Sequence, residues 1–490
     1  MGSNPEAMES CAKLNNYAIL SFIVHLACGI INQAVSFLLI LEEDINSGAL
    51  YMLRKLLFAS TICAMPAAVL AQEQPAEEAQ AAPESLLPPT PTTDAMTADE
   101  PVAVEPEIVE EVRPLWSAEA ATQLLGKIND IGADGLKPAD YQPAKLKAAL
   151  DSGDAAQIDA EATRAFTWLA EDIRDGRTPQ KSRIQWFVVD PDAQAMPTAG
   201  LLAKVLDGGD VNAILKSLEP THDDYAALRK QLAATPAASV TKRRLITANM
   251  DRWRWLQRDL GKDYLFTNVP EYMVQYVIND TQIATFRTIV GKPGRNATPQ
   301  LTEMVRGVIY NPTWTVPQSI VKGEGLGARV LGNPAWAKSK GYTATKGANG
   351  YVSVVQKSGP GNALGYMKLD MPNRHAIFLH DTPSRRLFRN ANRALSHGCI
   401  RTENAADLAM AIAYVQGDVP TARSNRIMKS RKYTNVPVKR KLPVYITYFT
   451  MASDVNGKMK SFRDIYGRDK AVFNSFAKPR KRQPASVASK

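Results

Sequence analysis

Apolar residues recur with a helical period from Trp116 onward. Ala121, Leu124, Leu125 and Ile128 fall on one face of a helix that Ser117 is placed to cap, with Glu119 in its first turn. Similar segments follow to about Ala234. Gly132, Gly135 and Pro138 punctuate the first turn, and the run AFTWLAEDIRDGRTP predicts a helix ending at Gly176. TKRRLITANMDRWRWLQRDL reads as one more helix. At Tyr264 the period shortens to two. Residues 272–278 and 282–290 predict the arms of a hairpin around Asn279-Asp280-Thr281, and residues 305–310 a strand stopped by Pro312. Ala376-Ile377-Phe378-Leu379 has the unbroken apolarity of a buried strand. Behind Arg401, helical spacing returns in Ala405, Leu408, Ile412 and Val415, with Asn404 as the expected cap. A helical half followed by a strand-rich half predicts the α+β class.

The stretches outside this pattern set the domain limits. Helical residues 114–245 precede a mostly β region at 246–450. The latter holds an insertion at about 318–352, rich in Gly and Lys, whose composition suits a mobile lid. Residues 72–113 are rich in Pro, Ala and Glu with no apolar period, which predicts a disordered acidic linker. Residues 52–71 have the anatomy of a secretory signal peptide: Arg54 and Lys55, an apolar run, and a small-residue site for a cut after Ala71. The apolar stretch 17–41, broken by His25, Asn32 and Gln33, is long enough to span a bilayer. Two export elements in tandem make poor sense, so Met52 is the expected start and residues 1–51 an upstream extension, with a membrane anchor at 17–41 as the less favoured alternative. Residues 451–490 read as a C-terminal extension with a basic tail, preceded by a strongly basic stretch at 422–441.

Composition narrows the chemistry. A chain of 490 residues accommodates two or three domains with real cores, and a formal charge of +10 favours an anionic partner. No zinc spacing, Walker loop or nucleic-acid module occurs. The GADGLKPADY loop carries Asp134 and Asp140 without calcium-loop spacing, and GKPGRNATP, with Gly291 and Gly294, lacks the Lys-Ser/Thr ending of a phosphate loop. No cofactor, metal or nucleic acid is therefore expected. Of the four cysteines, Cys11, Cys28 and Cys63 precede the predicted cut, which leaves Cys399 as the one thiol of the mature chain. It has no partner for a bridge, and an unpaired thiol in an oxidising compartment reads as reactive.

The surroundings of Cys399 suit acyl chemistry. His397 lies two residues back and His380 nineteen, across an arginine-rich loop. A free thiol is only a few per cent ionised at neutral pH, so it needs a nearby base or positive charge, which His380, His397, Arg393 and Arg401 offer. Gly398 lets backbone approach a substrate carbonyl, and the amides around Cys399 are positioned to stabilise an oxyanion. A segment ahead of a helix would also favour thiolate.

His380, fifteen residues, then Ser396-His397-Gly398-Cys399-Ile400-Arg401 resembles the signature of the L,D-transpeptidase (YkuD-type) catalytic domain of bacterial cell-wall enzymes. The likeness extends to GPGNALGYMKLDMPNRHAIFLHDTP, to NPTWTVP and to DIYGRD, and covers roughly residues 116–476 in the manner of the large periplasmic members. It implies a helical scaffold domain, then a mostly β catalytic domain with the 318–352 insertion as a capping lobe. The small peptidoglycan-binding module that such relatives commonly carry between the two has no counterpart, since Leu232 is followed within a few residues by the next helix.

The resemblance further implies periplasmic ping-pong acyl transfer on peptidoglycan stem peptides, with carbapenem sensitivity. Cys399 attacks the L-centre carbonyl of the third residue of a tetrapeptide stem, expels D-Ala and passes the acyl group to an amine. That amine belongs to another stem, a free D-amino acid or a lysine on an outer-membrane protein. His380 is the expected base, Ser396 and His397 its supports, and the Gly398 and Cys399 backbone the oxyanion hole. Arg401 is expected either to hold a stem carboxylate or to form a structural ion pair. Trp314, Tyr366 and Phe378 are expected as pocket walls or as ordinary core, and Asn362 as a substrate contact. A carboxypeptidase or amidase of the same fold, or a wall-binding protein without turnover, stays open.

Overall fold

The computed structural model describes residues 115–480. The expectations for the upstream stretch, the signal peptide, the linker and the last ten residues lie outside the described residues.

The first half is helical: α1 (Ala118–Asp130), α2 (Pro143–Ser152), α3 (Ala155–Asp175), α4 (Asp192–Ala195), α5 (Thr198–Leu206), α6 (Val211–Lys216), α7 (Asp223–Ala233) and α8 (Val240–Trp253). Ser117 caps α1, its hydroxyl accepting the Ala120 amide at 3.1 Å, and Asp154 caps α3 through the amides of Ala156 and Gln157. The apolar stripes pack as their spacing requires: Ala121, Leu124 and Ile128 of α1 and Phe166 and Leu169 of α3 are fully buried. Each such Leu or Phe contributes about 1.5–3 kcal/mol of transfer free energy. Helix α8 joins this half to the next, and Trp253 at its end stacks on Phe449 with ring centroids 4.6 Å apart. The buried residues of both halves form one continuous core.

The second half carries β1 (Tyr264–Asn268), β2 (Met273–Ile278), β3 (Thr281–Gly291), β4 (Leu301–Met304), β5 (Gly307–Tyr310), β6 (Trp314–Thr315), β7 (Tyr342–Lys346), β8 (Val352–Gln356), β9 (Met367–Asp370), β10 (Leu379–His380), β11 (Ala394–Ser396), β12 (Ile400–Thr402), β13 (Thr434–Pro437), β14 (Pro443–Thr447), β15 (Met451–Ser453) and β16 (Met459–Ser461). The main sheet runs β13-β5-β9-β10-β12-β3-β2-β1-β14-β4, with β11 added beside β3. Most pairs are antiparallel, but β10 with β12, β11 with β3 and β1 with β14 are parallel. The β2–β3 hairpin turns at Asn279 and Asp280, both at positive φ (47° and 59°), a conformation these residue types tolerate. The architecture is α+β.

Three local expectations need correction. The apolar run at 376–379 is not one strand. Only Leu379 joins β10, and Ala376 sits at φ 52°, so the start of the run is a loop. Asn404 precedes helix α12 (after α9 Gln318–Gly323, α10 Leu326–Gly332 and α11 Pro334–Ser339; α12 spans Ala405–Gly417) but makes no side-chain cap, because it is itself left-handed at φ 50°. The insertion is also wider than residues 318–352. It folds around its own core of Val316, Ile320, Val321, Val330, Ala337 and Val354 under the small sheet β6-β8-β7, so it starts at Trp314 and closes at Gln356.

Residues from Met451 onward are not an appendage. Beyond helix α13 (Thr421–Ser430), the β15–β16 hairpin and helix α14 (Asp469–Ala477) return to the helical half. Asp469 pairs with Arg252 at 2.7 Å and takes the Thr450 hydroxyl at 2.9 Å. Arg177 reaches Asp140 at 2.8 Å and the Lys478 carbonyl at 2.9 Å. At the end, Arg480 binds both oxygens of the fully buried Asp172, at 2.9 and 3.1 Å, and lies over the Trp168 ring. Removing one partner of a buried ion pair strands the other charge, so Arg480→Ala should cost about 3–5 kcal/mol in chemical denaturation. Asp172→Leu combined with Arg480→Met should recover most of that loss.

Candidate active site

Cys399 lies on the three-residue loop between β11 and β12, and hydrogen bonds hold that loop from both sides. The Ser396 hydroxyl donates to the Cys399 carbonyl (2.6 Å) and accepts the Gly398 amide (3.2 Å), stapling the turn across its own width. Gly398 adopts φ 126°, where a side chain is strained, and an added Cβ would lie 3.2 Å from Ile377. The Gly398 carbonyl accepts the hydroxyl of Thr298 at 2.7 Å; Thr298 in turn accepts the Gly291 amide at 2.9 Å. Tyr466 closes the ring, its hydroxyl donating to the Gly291 carbonyl at 2.6 Å and accepting the Thr298 amide at 3.2 Å. A Cβ on Gly291 would sit 1.9 Å from the Asn296 carbonyl, so this approach of β3 to the next loop admits only glycine.

This arrangement changes the expected oxyanion hole. The Gly398 amide is spent on Ser396, whereas the Cys399 amide has no acceptor among the described residues. Of the two donors expected there, Cys399 N–H is the one left to face a substrate.

The parallel register of β10 and β12 pairs Leu379 with Ile400 and His380 with Arg401. Side chains alternate along a strand, so Phe378, His380, Cys399 and Arg401 share one face while Leu379, Ile400 and Thr402 are buried on the other. Lys368, paired with His380 across β9, joins the first face. The His380 Nδ1 lies 2.5 Å from the Asp381 carbonyl. A carbonyl only accepts, so Nδ1 carries the proton and Nε2 keeps its lone pair. Burial pushes the His380 pKa down to about 3, with help from Arg401 and Lys368. The half-buried Cys399 thiol donates to the Ala376 carbonyl at 3.4 Å. Burial pushes its pKa up to about 11, against the pull of the Phe378 backbone, Lys368 and Arg401. The expected helix-terminus assistance is not delivered, because β12 stands between the thiol and α12.

The other expected site residues divide. Arg401 is half-buried, and its guanidinium has no hydrogen bond or ion pair among the described residues, which disposes of the structural-pair reading. Phe378 packs its ring against His380, with centroids 5.5 Å apart, and beneath the Lys368 ammonium. His397 is exposed, and its Nε2 pairs with Glu324, at the end of α9 in the lobe. Arg393 is held by the carbonyls of Thr288 and Tyr272, at 3.0 and 3.2 Å, over the Tyr272 ring. Asn362 is 1% exposed, and its amide group binds the carbonyls of Pro312, Gln356 and Lys357, so it ties the root of the lobe and meets no substrate. Trp314 packs on the lobe core. Tyr366 engages the site through its backbone: its amide donates to Asp381 at 2.9 Å and its carbonyl accepts from Asn311. Thr298, Tyr466, Asp381, Lys368 and Glu324 escaped the sequence reading. Each nevertheless stood in a stretch that had drawn attention for another reason: Thr298 in GKPGRNATP, Tyr466 in DIYGRD, Lys368 and Asp381 in GPGNALGYMKLDMPNRHAIFLHDTP, and Glu324 in the insertion. Among the described residues no three His, Cys, Asp or Glu side chains converge as a metal would require.

Known proteins can be set beside this geometry. The model of the L,D-transpeptidase catalytic domain (YkuD) matches residues 262–438, and that of a scaffold domain matches residues 110–232. A putative L,D-transpeptidase of Haemophilus influenzae is 32% identical over 384 residues, covering 73% of this chain and 76% of that protein. Among solved structures, an L,D-transpeptidase from Mycobacterium smegmatis is 15% identical over 37% of this chain and 58% of its own, with a TM-score of 0.19. A mutant L,D-transpeptidase from Enterococcus faecium is 12% identical over 38% and 51%, with a TM-score of 0.19. The chain thus spans little more than half the length of those solved proteins. No described helix is long and apolar enough to cross a membrane. With the scaffold and catalytic models in tandem, and a relative this similar over three quarters of its length, the chain belongs to the L,D-transpeptidase family.

Proposed function

We propose that the protein is a cysteine-dependent peptidoglycan L,D-transpeptidase, exported to the periplasm by the segment at 52–71. What supports this reading is the parallel β10–β12 register, which sets His380 opposite Arg401 directly behind the Cys399 loop, with His380 Nε2 basic and Arg401 unpaired among the described residues. Cys399 Sγ attacks the L-centre carbonyl of the third residue of a tetrapeptide stem. His380 Nε2 takes the thiol proton, and Cys399 N–H receives the developing oxyanion. Collapse expels D-Ala, whose amine leaves with the proton from His380, and a thioester remains. An acceptor amine attacks the thioester and gives its proton to His380, and the thiol is restored. The product is a 3-3 cross-link between stems, or a stem joined to a lysine of an outer-membrane protein. Arg401 and Lys368 supply cations for a stem carboxylate. The lobe lies over the loop through the His397–Glu324 contact.

Desolvation keeps the nucleophile and base neutral before substrate arrives. The thiol is protonated below about 11 and the imidazole unprotonated above about 3. Proton transfer therefore accompanies attack, and the pair differs from a preformed thiolate–imidazolium ion pair.

Mass spectrometry of tetrapeptide muropeptides incubated with the mature chain should show 3-3 linked dimers and released D-Ala. Cys399→Ser should abolish both, together with carbapenem labelling, because an unactivated serine is a poor nucleophile. Trimmed tripeptides alone, with acceptor amine in excess, would establish the hydrolase instead.

Because one protonation state persists across roughly pH 5 to 9, carbapenem acylation of the wild type should be nearly flat there. In His380→Ala the thiol must ionise to solvent, so the rate should fall about 10²–10⁴-fold near neutrality and climb about tenfold per pH unit. His397→Ala should retain measurable acylation. A wild-type inflection near pH 6.5 would contradict the neutral pair.

Thr298→Val strands the Gly398 carbonyl, a loss of about 1–3 kcal/mol in positioning, and should slow acylation about 10- to 100-fold without altering the pH profile. Thr298→Ser should restore most of the rate.

A further inference from the structure

Helix α13 and the turns on either side of β13 carry eight cations and no carboxylate between residues 421 and 441. Asp418 pairs with Lys439 and Arg440 and offsets one of their two charges. Arg423, Arg426, Lys429, Arg431, Lys432 and Lys441 remain exposed, with no ion pair among the described residues. Arg423, Arg426 and Lys429 stand at successive i, i+3 positions, neighbours on a helix surface about 4.5 Å apart along the axis. Six like charges repel one another, so the folded chain keeps them together at a cost that an anionic ligand would relieve.

The surface is also bolted to the catalytic cleft. Buried Asn311 donates from its side-chain amide to the carbonyls of Ile427 (2.9 Å) and Lys432 (3.1 Å), clasping the end of α13. Three residues later the lobe begins at Trp314. Strand β13 leads through β5 and β9 to β10, which holds His380. Three strand spacings of about 4.8 Å put the basic edge about 14 Å from the strand of the base.

We infer that α13 and the basic turns flanking β13 bind the carboxylates of neighbouring stem peptides on the same peptidoglycan strand that feeds the cleft. This rests on the proposed function for the identity of the polymer. A hydrated polyanion suits the face better than a bilayer does. Ile427 and Met428 turn inward onto the main core, and Arg423, Asn425, Arg426 and Lys429 face outward. An interfacial helix would need an apolar stripe on that outer side. The surface would keep the enzyme on a strand between turnovers and supply successive stems.

The test uses the mature full chain and the variant R423Q/R426Q/K429Q. Cosedimentation with purified sacculi should weaken about tenfold in the variant. It should weaken similarly for the wild type on sacculi whose carboxylates have been amidated, and between 50 and 300 mM salt, roughly, since exposed charges are screened. Unchanged cosedimentation in the variant would overturn the proposal. So would wild-type protein that floats with anionic phospholipid vesicles in a charge-dependent manner yet binds native and amidated sacculi alike. Carbapenem labelling and tetrapeptide turnover on the same preparations report on the cleft alone. Their loss in the wild type, with charge-dependent sacculus binding intact, would count against the proposed activity and leave the polyanion surface standing.

Discussion

The carbonyl of Gly398 is the point from which the reactive loop hangs. A three-residue turn with a left-handed glycine has no internal ladder to hold it, so its shape comes from bonds supplied by other segments. Thr298 provides the bond to that carbonyl, and Tyr466 holds Thr298 and Gly291 together. Tyr466 belongs to the C-terminal stretch, whose next elements are anchored to α8 by Asp469 and to α3 by Arg480. The Cys399 turn is thus held by a chain of contacts that begins in the helical half, and loosening α14 would relax it.

Desolvation dominates the electrostatics of the site. Arg401 and Lys368 favour thiolate, yet burial outweighs them for Cys399, and the same cations reinforce burial in keeping His380 neutral. A neutral thiol is less exposed to oxidation than a standing thiolate.

The capping lobe has a hydrophobic core separate from that of the main body. It is therefore able to move as a unit without exposing the principal core. Its roots are Asn362 and Asn311, both buried, whose side-chain amides bind backbone carbonyls and prevent the hinge from unravelling. His397 meets the lobe at Glu324, on the same three-residue loop as the thiol. Lobe position and nucleophile geometry are consequently adjacent variables.

Local periodicity was enough to read the helical half, the β2–β3 hairpin and the α+β class. Helix stripes and strand alternation depend on neighbours in sequence, and the apolar faces of α1 and α3 are buried where their spacing demands. The spacing from His380 to Cys399 likewise drew attention to the strand and loop that the structure sets side by side. Long-range pairing decided the rest. That His380 lies opposite Arg401 while His397 pairs with Glu324 depends on the parallel β10–β12 register and on the lobe, and no local pattern encodes which strand lies beside which. Asn362 resembled a binding residue and is a structural one, because its burial is produced by carbonyls drawn from several segments. The C-terminal stretch read as an appendage for the same reason: the partners of Asp469 and Arg480 lie some two hundred to three hundred residues away. Residue chemistry is written in the sequence. Which donors remain unspent, which charges are buried and which segment braces which loop are set only when distant strands and helices meet.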